Sequence, residues 1–540
     1  MKYFLFPALI ILSGCQSTLS SNKSSDDIFL SSEQVADTAE INQALLTDES
    51  IDVIHPVEDV TFSLKAESLE STNDVWQRIR GQLTFDIPQN PRVIEQRDWY
   101  TKHASYLTRV GKRAEPFLYY IVEELEKNDV PVELALLPVV ESAFDPFAYS
   151  HGRASGMWQF IPGTGTRFNM KQNWWYDGRR DIVASTSGAI QYMKYLHGFF
   201  DGDWLLALAA YNSGEGRVQR AVKKNKKLGK KTDFWSLDLP KETRAYVPKL
   251  LALADIIKRP EEFSVKLYEI ANEEIIVQVD IKSQIDLAKA ATLADLSLTE
   301  LQRLNPGFNR WATAPEGPHR LLLPKHKVTN FEKGLAKLTK NERLAWQRYK
   351  IKNGDSLGLI ANKFHSSIEL IRTVNSIKGN QIRAGKHLLI PVAEKSLDSY
   401  ILSQSQRIAK KQAKPQQGSK VTHNVISGDN LWDLGQRYKV SVSEIAKWNG
   451  FAPRDPLKLG QKLVIWQNPK ISMKAGHQNV EQAIIRNITY KVRSGDSFAR
   501  IADKFNVRIS DIERWNSLNR NKYLQPGQRL KLSVDITNNI

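Results

Sequence analysis

The chain reads as a multidomain protein in which a mainly α domain is followed by small α+β units, each built strand, helix, helix, strand. Three observations predict this. A length of 540 residues exceeds what one core organises and points to two to four domains. Helical periodicity runs through the first half, clearest in Phe117-Leu-Tyr-Tyr-Ile-Val-Glu-Glu-Leu125. The last third repeats one pattern three times, in Tyr349-Lys-Ile-Lys-Asn-Gly-Asp-Ser-Leu357, His423-Asn-Val-Ile-Ser-Gly-Asp-Asn-Leu431 and Tyr490-Lys-Val-Arg-Ser-Gly-Asp-Ser-Phe498.

At the N-terminus, residues 1–15 combine a short basic start with an apolar stretch too short to span a bilayer, as a signal peptide does. Leu12-Ser13-Gly14-Cys15 resembles the bacterial lipobox, which implies lipidation at Cys15 and a lipid anchor in the membrane. Gln16 stands where Asp would imply retention at the inner membrane, so the expected place is the periplasmic face of the outer membrane of a Gram-negative cell. Cys15 is also the chain's single cysteine, which excludes intrachain disulfides, a thiolate zinc site and a redox pair. Residues 16–75 are rich in Ser, Asp and Glu with few aromatics and read as an acidic tether.

The helical domain is expected over 76–262. Within it, Val132, Leu134, Ala135, Leu136, Leu137, Val139 and Val140 form an apolar run that opens with Pro131 and predicts a buried helix, with Glu141 near its last turn. Apolar neighbours and the negative end of a helix both disfavour the carboxylate, so Glu141 is expected to stay protonated near neutral pH. A glycosidase acid needs that property to protonate a departing sugar oxygen. A lone Glu in such a place is more often in an ordinary ion pair, and each residue around it, taken alone, leaves that balance in place. The loop Ser150-His-Gly-Arg-Ala-Ser-Gly-Met-Trp-Gln-Phe-Ile-Pro-Gly-Thr-Gly165 offers glycines for close backbone approach, flat faces at Trp158 and Phe160, and hydrogen-bonding groups at Ser150 and Gln159. Further on, Asp203 is a candidate N-cap for an Ala- and Leu-rich helix that ends before Gly214, placing Tyr211 and Asn212 at its terminus.

Glu141-Ser-x-Phe-x-Pro146, Ser150 nine residues after the Glu, and Gly156-x-x-Gln-Phe-x-Pro-x-Thr164 together resemble the signature of the soluble-lytic-transglycosylase family. Ala209-Ala-Tyr-Asn-Ser-Gly-Glu-Gly-Arg-Val218 and Glu242-Thr-Arg-Ala-Tyr-Val-Pro-Lys249 resemble its two later blocks, in the same order. Met157-Trp158-Gln159 departs from it, since many members carry Leu-Met-Gln there. The resemblance implies a lysozyme-like fold with Glu141 as the catalytic acid. It implies substrate contacts at Ser142, Ser150, Gly156, Met157, Trp158, Gln159, Tyr211, Asn212 and Tyr246. By motif, no second carboxylate accompanies Glu141; Asp145 reads as a turn residue before Pro146.

In each C-terminal repeat a Gly-Asp is followed 21 residues later by Asn375, Asn449 or Asn516, and Gly385, Gly460 or Gly527 precedes a short apolar strand. The three repeats, expected at 348–392, 421–466 and 488–533, resemble LysM modules, which implies binding of N-acetylglucosamine polymers. Candidate sugar contacts are Gly354, Asp355 and Ser356, then Gly428, Asp429 and Asn430, then Gly495, Asp496 and Ser497. Turning and capping explain these triplets equally well. A degenerate copy is expected within 263–345, where Leu293 to Asn305 aligns with Lys504 to Asn516 but Gln284-Ile285 replaces Gly-Asp. The stretches 396–420 and 467–487 read as flexible linkers that keep the catalytic domain concentrated on an insoluble polymer.

With 76 basic against 59 acidic residues the chain carries +17, which suggests an acidic polymer partner. Export disfavours nucleic acid and favours peptidoglycan glycan strands with their carboxylates. The ten histidines show no metal-ligand spacing such as His-Glu-x-x-His, so neither metal nor other cofactor is expected. The expected activity is cleavage of the MurNAc-GlcNAc bond with formation of 1,6-anhydro ends, for cell-wall remodelling and turnover. A hydrolytic muramidase and a catalytically silent wall anchor are the alternatives.

Overall fold

The computed structural model describes residues 74–467, 485–493, 496–505, 507, 509–518 and 524–535. Cys15, the signal peptide, the tether to residue 73 and Gly495 lie outside the described residues. The chain divides into two compact units, the second comprising 417–420 and 466–540.

Among the described residues, the first unit begins with ten α-helices: α1 Val75–Arg80, α2 Pro91–Lys102, α3 Ala104–Ala114, α4 Leu118–Lys127, α5 Leu137–Ser142, α6 Pro162–Arg167, α7 Ile182–Phe199, α8 Trp204–Ser213, α9 Glu215–Lys227 and α10 Lys241–Lys258. Local chemistry sets their starts. Asp74, Asn90, Asp181 and Asp203 accept from first-turn amides, and Pro91, Pro138 and Pro162 occupy first-turn positions where no donor is lost. The predicted helix before Glu141 is divided. Val132–Leu136 is 3₁₀, α5 follows, and Ala143 and Phe144 at φ 52° and 58° end it. Around α8 and α10 the core is almost solvent-free: Ala207, Leu208, Ala209, Ala210, Val247, Leu250 and Leu251 are all 0 % exposed.

Next comes the expected degenerate repeat. Strand β1 (Ile276–Asp280) pairs antiparallel with β2 (Arg320–Pro324), and α11 (Leu287–Leu293) and α12 (Leu298–Leu304) lie between them in sequence. Its Asn305 side chain donates to Leu301 O and Leu322 O and accepts from Leu322 N, fastening helix to return strand. The unit is docked on the helical domain through Arg320 to Asp181 at 2.6 Å and Asp177 N to Gly307 O at 2.8 Å.

Helix α13 (Val328–Ala336) leads into the first clear repeat, with β3 (Ala345–Lys350), α14 (Leu357–Lys363), α15 (Ile368–Val374) and β4 (His387–Val392). The second has β5 (Ser419–Asn424), α17 (Leu431–Tyr438), α18 (Val442–Asn449) and β6 (Lys462–Gln467). Between them, the stretch expected as a flexible linker is folded. Tyr400 is fully buried and donates to Asp286, and α16 (Gln404–Ala413) bonds through Gln412 to Asn449 and Lys462 O. Its Lys- and Gln-rich composition concealed one buried aromatic and a cationic helix face.

In the second unit β7 (Ile485–Lys491) pairs antiparallel with β8 (Arg529–Asp535), and α19 (Phe498–Lys504) and α20 (Ile509–Asn516) lie between them in sequence. Tyr490, Val492, Ile501, Ile512, Leu530 and Leu532 form its core. Among the described residues, no helix is long and apolar enough to cross a membrane.

Candidate active site

Glu141 sits on the last turn of α5, half-buried, with its carboxyl group turned toward α10. The Tyr246 hydroxyl donates to Glu141 Oε1 at 2.5 Å. Tyr246 itself is 1 % exposed, so this hydrogen bond lies largely out of competition with water. Burial pushes the Glu141 carboxyl up to about 8, and the Glu242 charge adds to the rise; the Tyr246 hydrogen bond and the Lys249 ammonium oppose it. The fourth side chain of this group, Lys249, is 5 % exposed and drawn down to about 8, chiefly by burial.

Glu242, Tyr246 and Lys249 fall at i, i+4 and i+7 of α10, on one face of the helix. Asn212 at the end of α8 links to the same face. Its Nδ2 donates to Glu242 Oε1 at 3.4 Å and its Oδ1 accepts from Thr243 Oγ1 at 2.8 Å. The motif reading of a single carboxylate is therefore incomplete, since Glu242 stands within electrostatic reach of Glu141. The helical phase that sets Glu242 and Lys249 on the face of Tyr246 was the available signal for both.

Glu141, Gln159, Tyr211 and Asn212 keep part of their surface open. Other expected contacts face inward. Trp158 and Phe160 are 1 % and 3 % exposed, and Trp158 Nε1 donates to Thr186 Oγ1; their rings belong to the core rather than to a cleft wall. Met157 is likewise 1 % exposed. These large apolar rings gain more from burial than a shallow loop surface offers. The Ser142 hydroxyl is bonded to Met157 O at 3.0 Å, and the Ser150 hydroxyl accepts from Ala154 N at 2.9 Å. Both serines shape the loop. Tyr211 pins it from the other side, donating to Trp158 O at 2.7 Å, and Gln159 closes a turn onto Gly156 O. Gly156, at φ 85°, lies where a Cβ would come within 2.0 Å of Arg179 O, so the close approach requires glycine.

In the repeats, Asp355, Asp429 and Asp496 accept from the amides of Lys352, Ile426 and Arg493, three residues back. Their second partners are Tyr349, His423 and Tyr490. Ser356, Asn430 and Ser497 accept from amides in the first turn of α14, α17 and α19. Gly354 and Gly428 supply positive φ at the turn. The described members of the triplets thus each have a structural role. Among the described residues of the repeats, the exposed large apolar side chains are others, Ile426, Trp432 and Leu459 in the second repeat at 60, 45 and 77 %, and Leu359 and Leu389 in the first at 58 and 43 %.

Comparison with known proteins agrees with this layout. The Transglycosylase SLT domain model matches residues 119–234. The model described as Lytic transglycosylase MltD, LysM-like domain, matches 276–340, and the LysM domain model matches 349–391, 423–466 and 490–533. The membrane-bound lytic murein transglycosylase D of Escherichia coli K12 is 37 % identical over 409 residues, covering 74 % of this chain and 87 % of that one. Its counterpart from E. coli O6:H1 matches to the same extent. Among solved structures, an inactive mutant of the lytic transglycosylase Slt from Pseudomonas aeruginosa aligns at 21 % identity over 35 % of this chain and 32 % of that one, with a TM-score of 0.22, an overlay too poor to argue from. At 37 % identity over most of the relative's length, the chain belongs to the membrane-bound lytic murein transglycosylase D family.

Proposed function

We propose that the chain is a peptidoglycan lytic transglycosylase of cell-wall remodelling and turnover, with Glu141 handling the proton in both halves of the reaction. Protonated Glu141 donates to the oxygen joining N-acetylmuramic acid to N-acetylglucosamine, and that bond breaks through an oxocarbenium-like state. The resulting carboxylate, held by the Tyr246 O–H and faced by Lys249, takes the proton from the muramoyl 6-hydroxyl. The 6-oxygen attacks the anomeric carbon and closes a 1,6-anhydro ring. No water is consumed, and Glu141 ends as it began. A half-buried carboxyl group pushed up to about 8 and hydrogen-bonded by Tyr246 carries this reading, since a general acid and base works best with a pKa near ambient pH.

Glu242 gives the hydrolytic alternative its one structural argument, because a second carboxylate could activate water. Mass spectrometry of products from purified sacculi decides between them. Anhydro ends, one water lighter than reducing ends, are expected; reducing ends carrying solvent oxygen would overturn the proposal.

The repeats hold the enzyme on the wall, with the exposed apolar side chains of the second repeat as the candidate sugar faces. A lipid at Cys15 would keep the protein on the periplasmic face of the outer membrane, with peptidoglycan in reach. Labelling with a fatty-acid analogue, lost in Cys15→Ala, tests the anchor.

A further inference from the structure

Where the helical domain, the degenerate repeat and α16 meet, buried cations outnumber their counter-charges. Arg180 is 6 % exposed, Arg310 and Arg407 are half-buried, and Lys411 lies one turn beyond Arg407 on α16. Asp145 and Asp177 are the carboxylates that face Arg407. Asp177 is already gripped by Arg179 through two hydrogen bonds, and Arg180 reaches it only at 3.6 Å. Arg310 lies 4.1 Å over the Trp174 ring and Arg407 4.7 Å over the Phe147 ring, so each faces an aromatic ring.

Arg180 Nε, Arg310 Nε and Arg407 Nη1 are buried without a hydrogen-bond partner. The three come from separate elements that converge on Asn309. Its side chain accepts from Arg180, its N–H donates to Trp175 O at 2.7 Å, and its carbonyl accepts from Gln404 N, the first residue of α16, at 2.9 Å.

A guanidinium taken from water with donors unused is costly, and its planar N–H groups match carboxylate and phosphate oxygens. We propose that this junction is a seat for a small oxyanion, a carboxylate or a phosphate, held between Arg180, Arg310 and Arg407. Arg180 forms its closed floor, and the partly exposed Arg310 and Arg407 give access. Asp145 lies four residues past Glu141 and caps the turn whose Phe147 stacks on Arg407. An anion in the seat therefore stiffens the segment that follows Glu141.

The test is titration of the full-length protein with inorganic phosphate at constant ionic strength, read by calorimetry and thermal unfolding. Saturable binding at one site is expected, with a melting temperature that climbs with the logarithm of phosphate concentration. Arg310→Met and Arg407→Met should each weaken binding at least tenfold, and Lys230→Met, at an exposed lysine between α9 and α10, should not. A melting temperature that follows ionic strength alone, or folded Arg variants that bind as well as the parent, would overturn the proposal. If those variants do not fold, Arg310→Lys keeps the charge and removes the fork; weakened binding supports the seat and unchanged binding refutes it. A short peptide ending in D-alanine that displaces the phosphate identifies a wall carboxylate as occupant, a point resting on the proposed substrate; failure to displace it assigns the seat to phosphate. Variants that lose phosphate yet still cleave glycan separate this seat from the assignment of Glu141.

Discussion

The Tyr246 hydroxyl and Glu141 Oε1 are 2.5 Å apart, joining the end of α5 to the middle of α10 across 105 positions of sequence. That hydrogen bond favours the carboxylate, whereas burial and the Glu242 charge favour the acid, and the acid prevails with the group at about 8. Proton donor and acceptor are thus close in free energy at neutral pH, as a reaction that uses one group twice requires.

Glu141→Gln keeps the shape and removes the proton. Turnover of purified sacculi should fall by about a hundredfold or more, with circular dichroism unchanged. Unchanged turnover would favour a silent wall anchor.

The same variant should reveal the linkage between titration and stability. The Glu141 pKa is raised from 4.5 to about 8 on folding, so between those values the folded chain holds a proton that the unfolded chain releases. The group's stabilising contribution is complete below about 4.5 and is lost as pH rises through about 8. Glu141→Gln should therefore gain on the parent as the pH climbs across that window, seen as a widening difference in melting temperature. Lys249, drawn down to about 8 from 10.5, titrates at the upper edge of the same window and is coupled to Glu141, so the comparison is made in a Lys249→Met background.

Tyr246→Phe removes a donor to the anion, and Lys249→Met removes a cation that favours it. Each should raise the Glu141 pKa and move the alkaline limb of the activity profile upward. Activity at neutral pH should drop by about tenfold as the carboxylate becomes harder to form. An alkaline limb that stays put or moves down would exclude these two residues from tuning the acid.

What the sequence made legible, and what it hid, follows physical lines. Capping residues, the Asp203 helix and the strand-helix-helix-strand repeats rest on local pattern, and all took the expected form. The Glu141 environment was readable because an apolar run leads up to it, although the same run holds a second acid, Glu133, fully buried and bonded to the amides of Thr84 and Phe85. Glu242 and Lys249 were overlooked because they reach the acid from α10, a hundred residues away, and only helical phase joins them to Tyr246. Trp158 was misread because an aromatic in a Gly-rich loop has the same local signature whether it lines a cleft or anchors the loop from below. The linker at 396–420 was misread because its few tertiary anchors, Tyr400 above all, are outnumbered by Lys and Gln.

The asparagine that follows each Gly-Asp by 21 residues fastens the second helix to the return strand. Asn375 donates to Ile371 O and Leu389 O and accepts from Leu389 N, and Asn449 repeats this with Ile445 and Val464. Asn449→Ala should cost about 2–3 kcal/mol in its module, because buried backbone groups are left unmatched. Hydrogen exchange of the β6 amides would report it. Gly354→Ala, strained at φ 84° but with open space around the new methyl, should cost only about 1 kcal/mol.

Asp455, in the second repeat, accepts from the Tyr149 hydroxyl at 2.8 Å, pairs with Arg153 Nε at 2.6 Å, and accepts from Ala452 N at 2.8 Å. One carboxylate thereby clips a sugar-module loop onto the segment that leads into Gly156 and Met157, whose carbonyl holds Ser142 beside Glu141. Asp455→Ala should loosen residues 149–157, seen as faster amide exchange there, and lower the turnover rate several-fold while leaving chitin-fragment binding by the repeats intact. Tyr149→Phe should do less, since Arg153 keeps its partner. In a double-mutant cycle the Tyr149–Asp455 pair should show a coupling of about 0.5–3 kcal/mol. Additive effects would mean that the repeat rests on the loop without holding it.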